Sequence, residues 1–288
     1  MDNTESIVSR LSTRFGNVKP IVIKQGYSNM LSNRQNFYRT KVICNGPMTY
    51  SVHNDIILNE TLIDHFFKIF GSNLIYTEKN KDVLIDKIHN FCQKNGIHID
   101  ITQDDTQPTH GRLEGNVICI SFTSNTKEKE IIYITLHELS HYITNYSSSN
   151  KLKQFITEPL KYDINIHNLY HMKQELNYFL SPAEISNWAF TLSLSMFEEK
   201  YKSASMFYKL VKDAVYEVKF ENINNIFSTK FYKNLSEDLR PLYHLVVYVR
   251  QLKELKLEHR QRLKYQNKLM SLIKILDKYV KRLNKLFK

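Results

Sequence analysis

Glycine and proline are scarce in this chain: seven and six among 288 residues. Both residues punctuate turns, so their scarcity points to few tight turns and long helices. Cysteine is scarcer still. Cys44, Cys92 and Cys119 are odd in number and widely spaced, which excludes a disulfide framework and a CxxC zinc knuckle. They read as reduced thiols, small residues of the core. No run approaches eighteen apolar residues, so no membrane span is expected. Residues 1–6 carry no basic segment followed by an apolar one. The expectation is a chain without a secretory signal, located in the cytoplasm or in a virus particle assembled there. Alanine is rare while Ile, Asn, Lys and Tyr abound, the bias of an AT-rich genome.

The apolar fraction, 42%, is that of a globular chain, and this length supports one large core or two. Strand-like runs occur at 20–24, 41–44 and 49–58, around a polar stretch at 28–35. A helix is expected over 59–70, ended by Gly71. Residues 1–79 therefore read as a small accessory α+β region. Further on, Val83, Leu84, Ile88 and Phe91 recur at helical spacing and Gly96 closes the helix. Residues 97–101 alternate as a half-buried strand does, 102–115 reads as a polar loop, and 117–122 as a second strand. Helices are expected from 128 to about 146 and at 151–158, 166–179, 182–213, 237–257 and 260–287. The fold class expected is helix-rich α+β: a core over 80–200, then an all-helical region over 201–288.

One motif carries chemistry. His137-Glu138-Leu139-Ser140-His141 is an HExxH sequence inside the helix expected from residue 128, which no Pro or Gly interrupts. Such a motif arises by chance in a chain of this composition with a probability of about 0.02. Residues four apart on a helix lie one above the other, so His137 and His141 can reach one metal ion. Glu138 lies one residue round, where a carboxylate can act as general base on a water. Ile131, Ile132, Ile134, Leu136, Leu139, Tyr142 and Ile143 frame the motif with apolar side chains, as in a helix buried on most sides.

Two imidazoles do not complete a catalytic zinc site; a third protein ligand is needed. Thr144 and Ser147 stand where an HExxHxxGxxH continuation would have Gly and His. Glu184, 43 residues beyond His141, stands at a helix start marked by Ser181-Pro182. It fits two roles: the third ligand, or the Glu of a capping box with Ser181 as N-cap. Glu175, His167 and His171 are the remaining candidates.

His137, Glu138, His141 and the stretch Glu184-Ile185-Ser186-Asn187-Trp188-Ala189-Phe190 resemble the zincin metallopeptidases. The resemblance is to the gluzincin-like branch common in phages and mobile elements, and it covers roughly residues 80–200. In that fold the strand nearest the site binds extended peptide by adding it as another strand, a role the resemblance gives to 117–122. It implies a Zn2+ ion held by His137, His141 and Glu184, with Glu138 as general base in peptide hydrolysis. It also implies a group for the oxyanion, for which Tyr178 is the candidate. Two positions depart from the family: Asn187, where a small residue is usual, and Trp188, where thermolysin-like chains carry an Asp. Asn187 is a candidate partner for a ligand imidazole, or else a solvated polar residue.

The charge is concentrated at one end. Residues 250–288 hold thirteen Lys and Arg against Glu254, Glu258 and Asp277, about +10 of the chain's +11. An apolar stripe from Leu269 to Phe287 runs opposite these cations. The segment either packs on the body with its cations in solvent, or binds nucleic acid or another polyanion, or docks on a partner protein or membrane surface. Three functions stay open: a zinc peptidase acting on a protein or peptide substrate, a structural or virion assembly protein retaining the fold, and a nucleic-acid-associated peptidase acting on DNA-bound proteins.

Overall fold

The computed structural model describes residues 19–20, 61–106, 109–144, 169–182, 184–254 and 259–288. The runs expected at 41–44, 49–58 and 151–158, and most of 20–24, lie outside these residues. In chain order the elements are β1 (Lys19–Pro20), α1 (Leu62–Phe70), α2 (Lys81–Lys94), β2 (His98–Gln103), β3 (His110–Glu114), β4 (Val117–Phe122) and α3 (Glu128–Ile143). There follow α4 (Leu169–Phe179), α5 (Ile185–Glu198), α6 (Ala204–Glu217), α7 (Lys230–Asn234), α8 (Arg240–Glu254) and α9 (His259–Leu286). The protein is thus helix-rich with one small mixed sheet, as the composition and periodicity imply.

The sheet order is β1-β2-β4-β3. β2 and β4 run parallel, from His98 opposite Val117 to Gln103 opposite Phe122, and β3 pairs antiparallel with β4. β3 lies in the stretch expected to be loop. A signal for it does exist: Gly115-Asn116 is a two-residue turn between two pairing runs, and Gly115 has the positive φ of 62° that such a turn demands. This hairpin also corrects the assignment of residues 117–122 as the peptide-adding strand. β4 is paired on both sides, so its backbone groups are taken; among the described strands β3 is an edge.

α1 starts at Thr61, whose side chain accepts from Asp64 N while the Asp64 carboxylate accepts from Thr61 N, a reciprocal capping box. It stops at Gly71, with φ 61°. Its buried face does not stand apart from the rest. Phe66 meets Phe190 of α5 with ring centroids 4.3 Å apart, and Asp64 pairs with Arg282 of α9 at 2.5 Å. One apolar cluster takes in α1, the sheet, and α3, α5, α8 and α9.

The helix expected over 182–213 is two helices. α5 ends in a Schellman arrangement: Tyr201 N donates to Met196 O and Lys200 N to Phe197 O, with Lys200 at φ 62°. Glycine usually takes that left-handed position, so a lysine there hides the break in the sequence. Ser203 then caps α6, accepting from Met206 N.

α9 lies along α5 and α8 and turns Leu269, Leu272, Ile273, Leu276, Val280 and Leu283 into the core. Arg260, Lys264, Lys274, Lys278, Lys285 and Lys288 face solvent. The stripe is therefore core, and the cations are its solvated face; the polyanion reading rests on charge alone. Leu276→Ala should destabilise the protein by about 2–5 kcal/mol, because its side chain is fully enclosed. Lys278→Glu, on the solvent face of the same turn, should change stability by no more than about 0.5 kcal/mol. Urea unfolding of the two variants measures the contrast.

A buried histidine lies within the helical half. His244 of α8 shares a hydrogen bond with Tyr232 at 2.9 Å and packs beside Phe227. Burial, with help from the nearby Arg240 guanidinium, pushes its pKa down to about 4. Between the unfolded value near 6.5 and 4, the unfolded chain takes a proton that the folded chain refuses. This contribution is therefore full above pH 6.5 and is lost as pH falls, by about 3 kcal/mol in all. Comparing unfolding midpoints of the wild type and His244→Gln from pH 7 to pH 4.5 isolates it; the variant should lose less stability across that window.

Candidate metal centre

The centre is built by α3 and α5. Nearly every α3 residue from Ile131 to His141 is buried, which holds the HExxH turn against the core. α3 and α5 run antiparallel and are fastened at both ends. Lys129 near the start of α3 pairs with Glu198 at the end of α5 at 2.5 Å and with Asp238 at 2.7 Å. Tyr133 also donates to Glu198. At the other end His137 and His141 meet the chain where it enters α5.

Glu184 stands at that entry. Ser181 Oγ accepts from Glu184 N at 3.2 Å, so half of the expected capping box exists. The other half does not: the Glu184 side chain makes no cap hydrogen bond. Its carboxylate turns to the histidines, with Oε2 3.3 Å from Nε2 of both His137 and His141. The two Nε2 atoms are 3.2 Å apart. Of the other third-ligand candidates, His167 lies outside the described residues, as do the side chains of His171 and Glu175.

These distances test the fit to a metal. Three corners of a tetrahedron around an ion, with bonds of about 2.1 Å, lie about 3.4 Å apart. The triangle here has sides of 3.2, 3.3 and 3.3 Å. All three residues are buried, and Glu184 Oε2 is enclosed without a hydrogen-bond partner among the described residues. Two imidazoles and one carboxylate, drawn together yet leaving that oxygen unsatisfied, form a group that could hold a metal ion. Burial opposes ionisation of Glu184, but the two imidazoles outweigh it and hold its carboxyl at about 2. The same carboxylate outweighs burial at His141 and raises its pKa.

The surroundings treat the two imidazoles differently. The side-chain amide of Asn187, one turn into α5, meets His141 Nδ1 at 2.8 Å. The amide atom facing the ring is Nδ2; turned about its last bond, the amide would present its oxygen instead, accept the Nδ1 proton and leave the Nε2 lone pair facing Glu184. Asn187 is fully buried against His141, so it is not a solvated residue. His137 Nδ1 makes no hydrogen bond among the described residues. Its ring is held by packing instead, against Trp188 with centroids 4.9 Å apart.

Glu138 is buried beside the triangle without belonging to it. Its carboxylate faces β3, near the backbone N–H of Leu113. Burial pushes its pKa above the ordinary carboxylate value, and the two histidines offset only part of that rise. Tyr178 is joined to the centre through intervening rings. It packs edge-on against Phe179, which packs on Trp188, which packs on His137. Nothing in sequence spacing singles out β3 as a wall of the centre, since its contact with α3 is a product of the sheet order.

Compared with known proteins, the chain matches no family model, no curated protein and no solved structure.

Proposed function

We propose that this protein is a zinc-dependent peptidase. The observation that carries the reading is the buried triangle of His137, His141 and Glu184, with the sides of a tetrahedral zinc site and a separate buried carboxylate beside it. His137, His141 and Glu184 would hold the ion, and Asn187 would keep His141 in the ligating tautomer. Zinc bound there supplies Lewis acidity that activates water and polarises a carbonyl. Glu138 acts as the general base, taking a proton from water and returning it to the leaving amine. Its raised pKa suits that exchange, because a base works best with a pKa nearer the working pH.

The sheet supports a peptide as substrate. Among the described residues β3 is an edge strand, and it lies against the Glu138 side chain. An extended peptide pairing with that edge would run its backbone past the base.

The test is direct. Protein stripped with a chelator and titrated with zinc should take up close to one ion per chain. It should then cleave a fluorescently labelled unfolded protein, with activity lost on chelation and restored by zinc. Failure to take up zinc would sink the metalloenzyme reading. Uptake without cleavage would favour an assembly component that keeps the site.

A further inference from the structure

Glycines 71, 96 and 115 sit at φ values of 61°, 66° and 62°, where the backbone itself calls for glycine. Gly111 does not: its φ lies in the range that any residue adopts. Its reason is space. A Cβ built on Gly111 would lie 2.5 Å from Ile134 Cγ2 and 3.0 Å from both Cγ and Oε1 of Glu138. Gly111 sits in β3 opposite Ile120 of β4, two residues before Leu113, whose N–H lies near the Glu138 carboxylate. The backbone of the edge strand therefore rests directly on the base, and only a residue without a side chain permits that approach.

We infer that Gly111 is a positioning residue for Glu138. By letting β3 lie against α3, it brings the Leu113 N–H to the carboxylate and fixes where Oε1 stands. The inference rests on Glu138 being the base. A methyl group at 111 has two neighbours of unequal stiffness. Ile134 is branched at Cβ and can hardly turn, whereas Glu138 ends in a flexible arm that will swing away. A small displacement of a catalytic group suffices to cost a large factor in rate. Gly111→Ala should accordingly leave the three metal ligands alone and misplace the base.

The double variant Gly111→Ala/Ile134→Ala separates this role from plain packing. Removing Ile134 Cγ2 relieves the shortest contact and leaves the contact with Glu138. Three proteins are compared with the wild type: Gly111→Ala, Ile134→Ala and the double variant. The readouts are zinc titration, melting temperature, hydrogen exchange at the Leu113 amide, and kcat and KM on a peptide that the wild type cleaves. The double variant should bind zinc as the wild type does and melt with Ile134→Ala. Its Leu113 amide should exchange at least about tenfold faster than in Ile134→Ala. Its kcat should lie about tenfold or more below that of Ile134→Ala, with KM within about twofold. A double variant with the amide protection and kcat of Ile134→Ala would overturn the inference, since Gly111 would then serve only packing. If the wild type cleaves no peptide, the peptidase reading fails by itself, and Leu113 exchange still decides whether Gly111 positions Glu138.

Discussion

Glu138→Gln should leave the protein folded, zinc-loaded and inactive. The amide matches the carboxylate in shape, so packing against β3 survives. It is not one of the three converging donors, so the zinc titre should not change. What disappears is the proton acceptor, and hydrolysis should fall by about 10²–10⁴-fold. Stability should be equal or higher, because a neutral amide replaces a carboxylate that burial already disfavours. Parallel measurements of zinc content, melting temperature and peptide cleavage check all three statements. A variant that hydrolyses at the wild-type rate would remove Glu138 from the mechanism.

The second large effect is on the metal. His141→Ala should abolish stoichiometric zinc binding, because it removes one side chain of a triangle whose members have no substitute among the described residues. Glu184→Gln should weaken affinity strongly, since it replaces an ionised oxygen with a neutral one. Ser181→Ala offers the complementary control. Its Oγ caps the turn leading into α5, so its loss should cost about 0.5–2 kcal/mol of stability. Asn187→Ala should weaken zinc binding by about 10–100-fold through loss of the partner on His141 Nδ1. Competition titration with a fluorescent chelator orders the four variants. An ordering in which Glu184→Gln binds zinc as the wild type does would return Glu184 to a capping role.

Much of the centre is legible in the order of residues. HExxH needs only the periodicity of one helix: a rise of four residues brings His141 back over His137 whatever surrounds them. Glu184 is legible as one of two things, and the ambiguity is physical. A Ser-Pro-x-Glu start offers the carboxylate a backbone N–H nearby, and a zincin site offers it two imidazoles far off in sequence. Which attraction wins depends on how α5 lies against α3. The Lys129–Glu198 pair at the far end of the two helices takes part in setting that geometry. Asn187 is ambiguous for the same reason, because its role depends on which face of α5 turns toward His141.

The misses share a cause. The loop expected over 102–115 contains β3, whose five residues pair with β4 and take little burial of their own, so their hydrophobic pattern is weak. The helix break at Lys200 relies on a strained lysine held by two hydrogen bonds, with no glycine to announce it. The role of an open edge, which the resemblance gives to residues 117–122, fails for β4 because sheet order pairs it on both sides.

Local chemistry and periodicity alone determine that this chain is helix-rich, that one helix sets two imidazoles side by side, and that its basic end carries an apolar stripe. Those properties reside in residues within a turn or two of each other, so no distant contact is needed to establish them. Tertiary structure decides that Glu184 turns to the histidines, that Asn187 meets His141, that the stripe of α9 is core, and that β3 lies on Glu138. Each of these is a contact between segments remote in the chain. Such contacts are chosen by how helices and strands bury their faces together, and that choice is a property of the whole packed body.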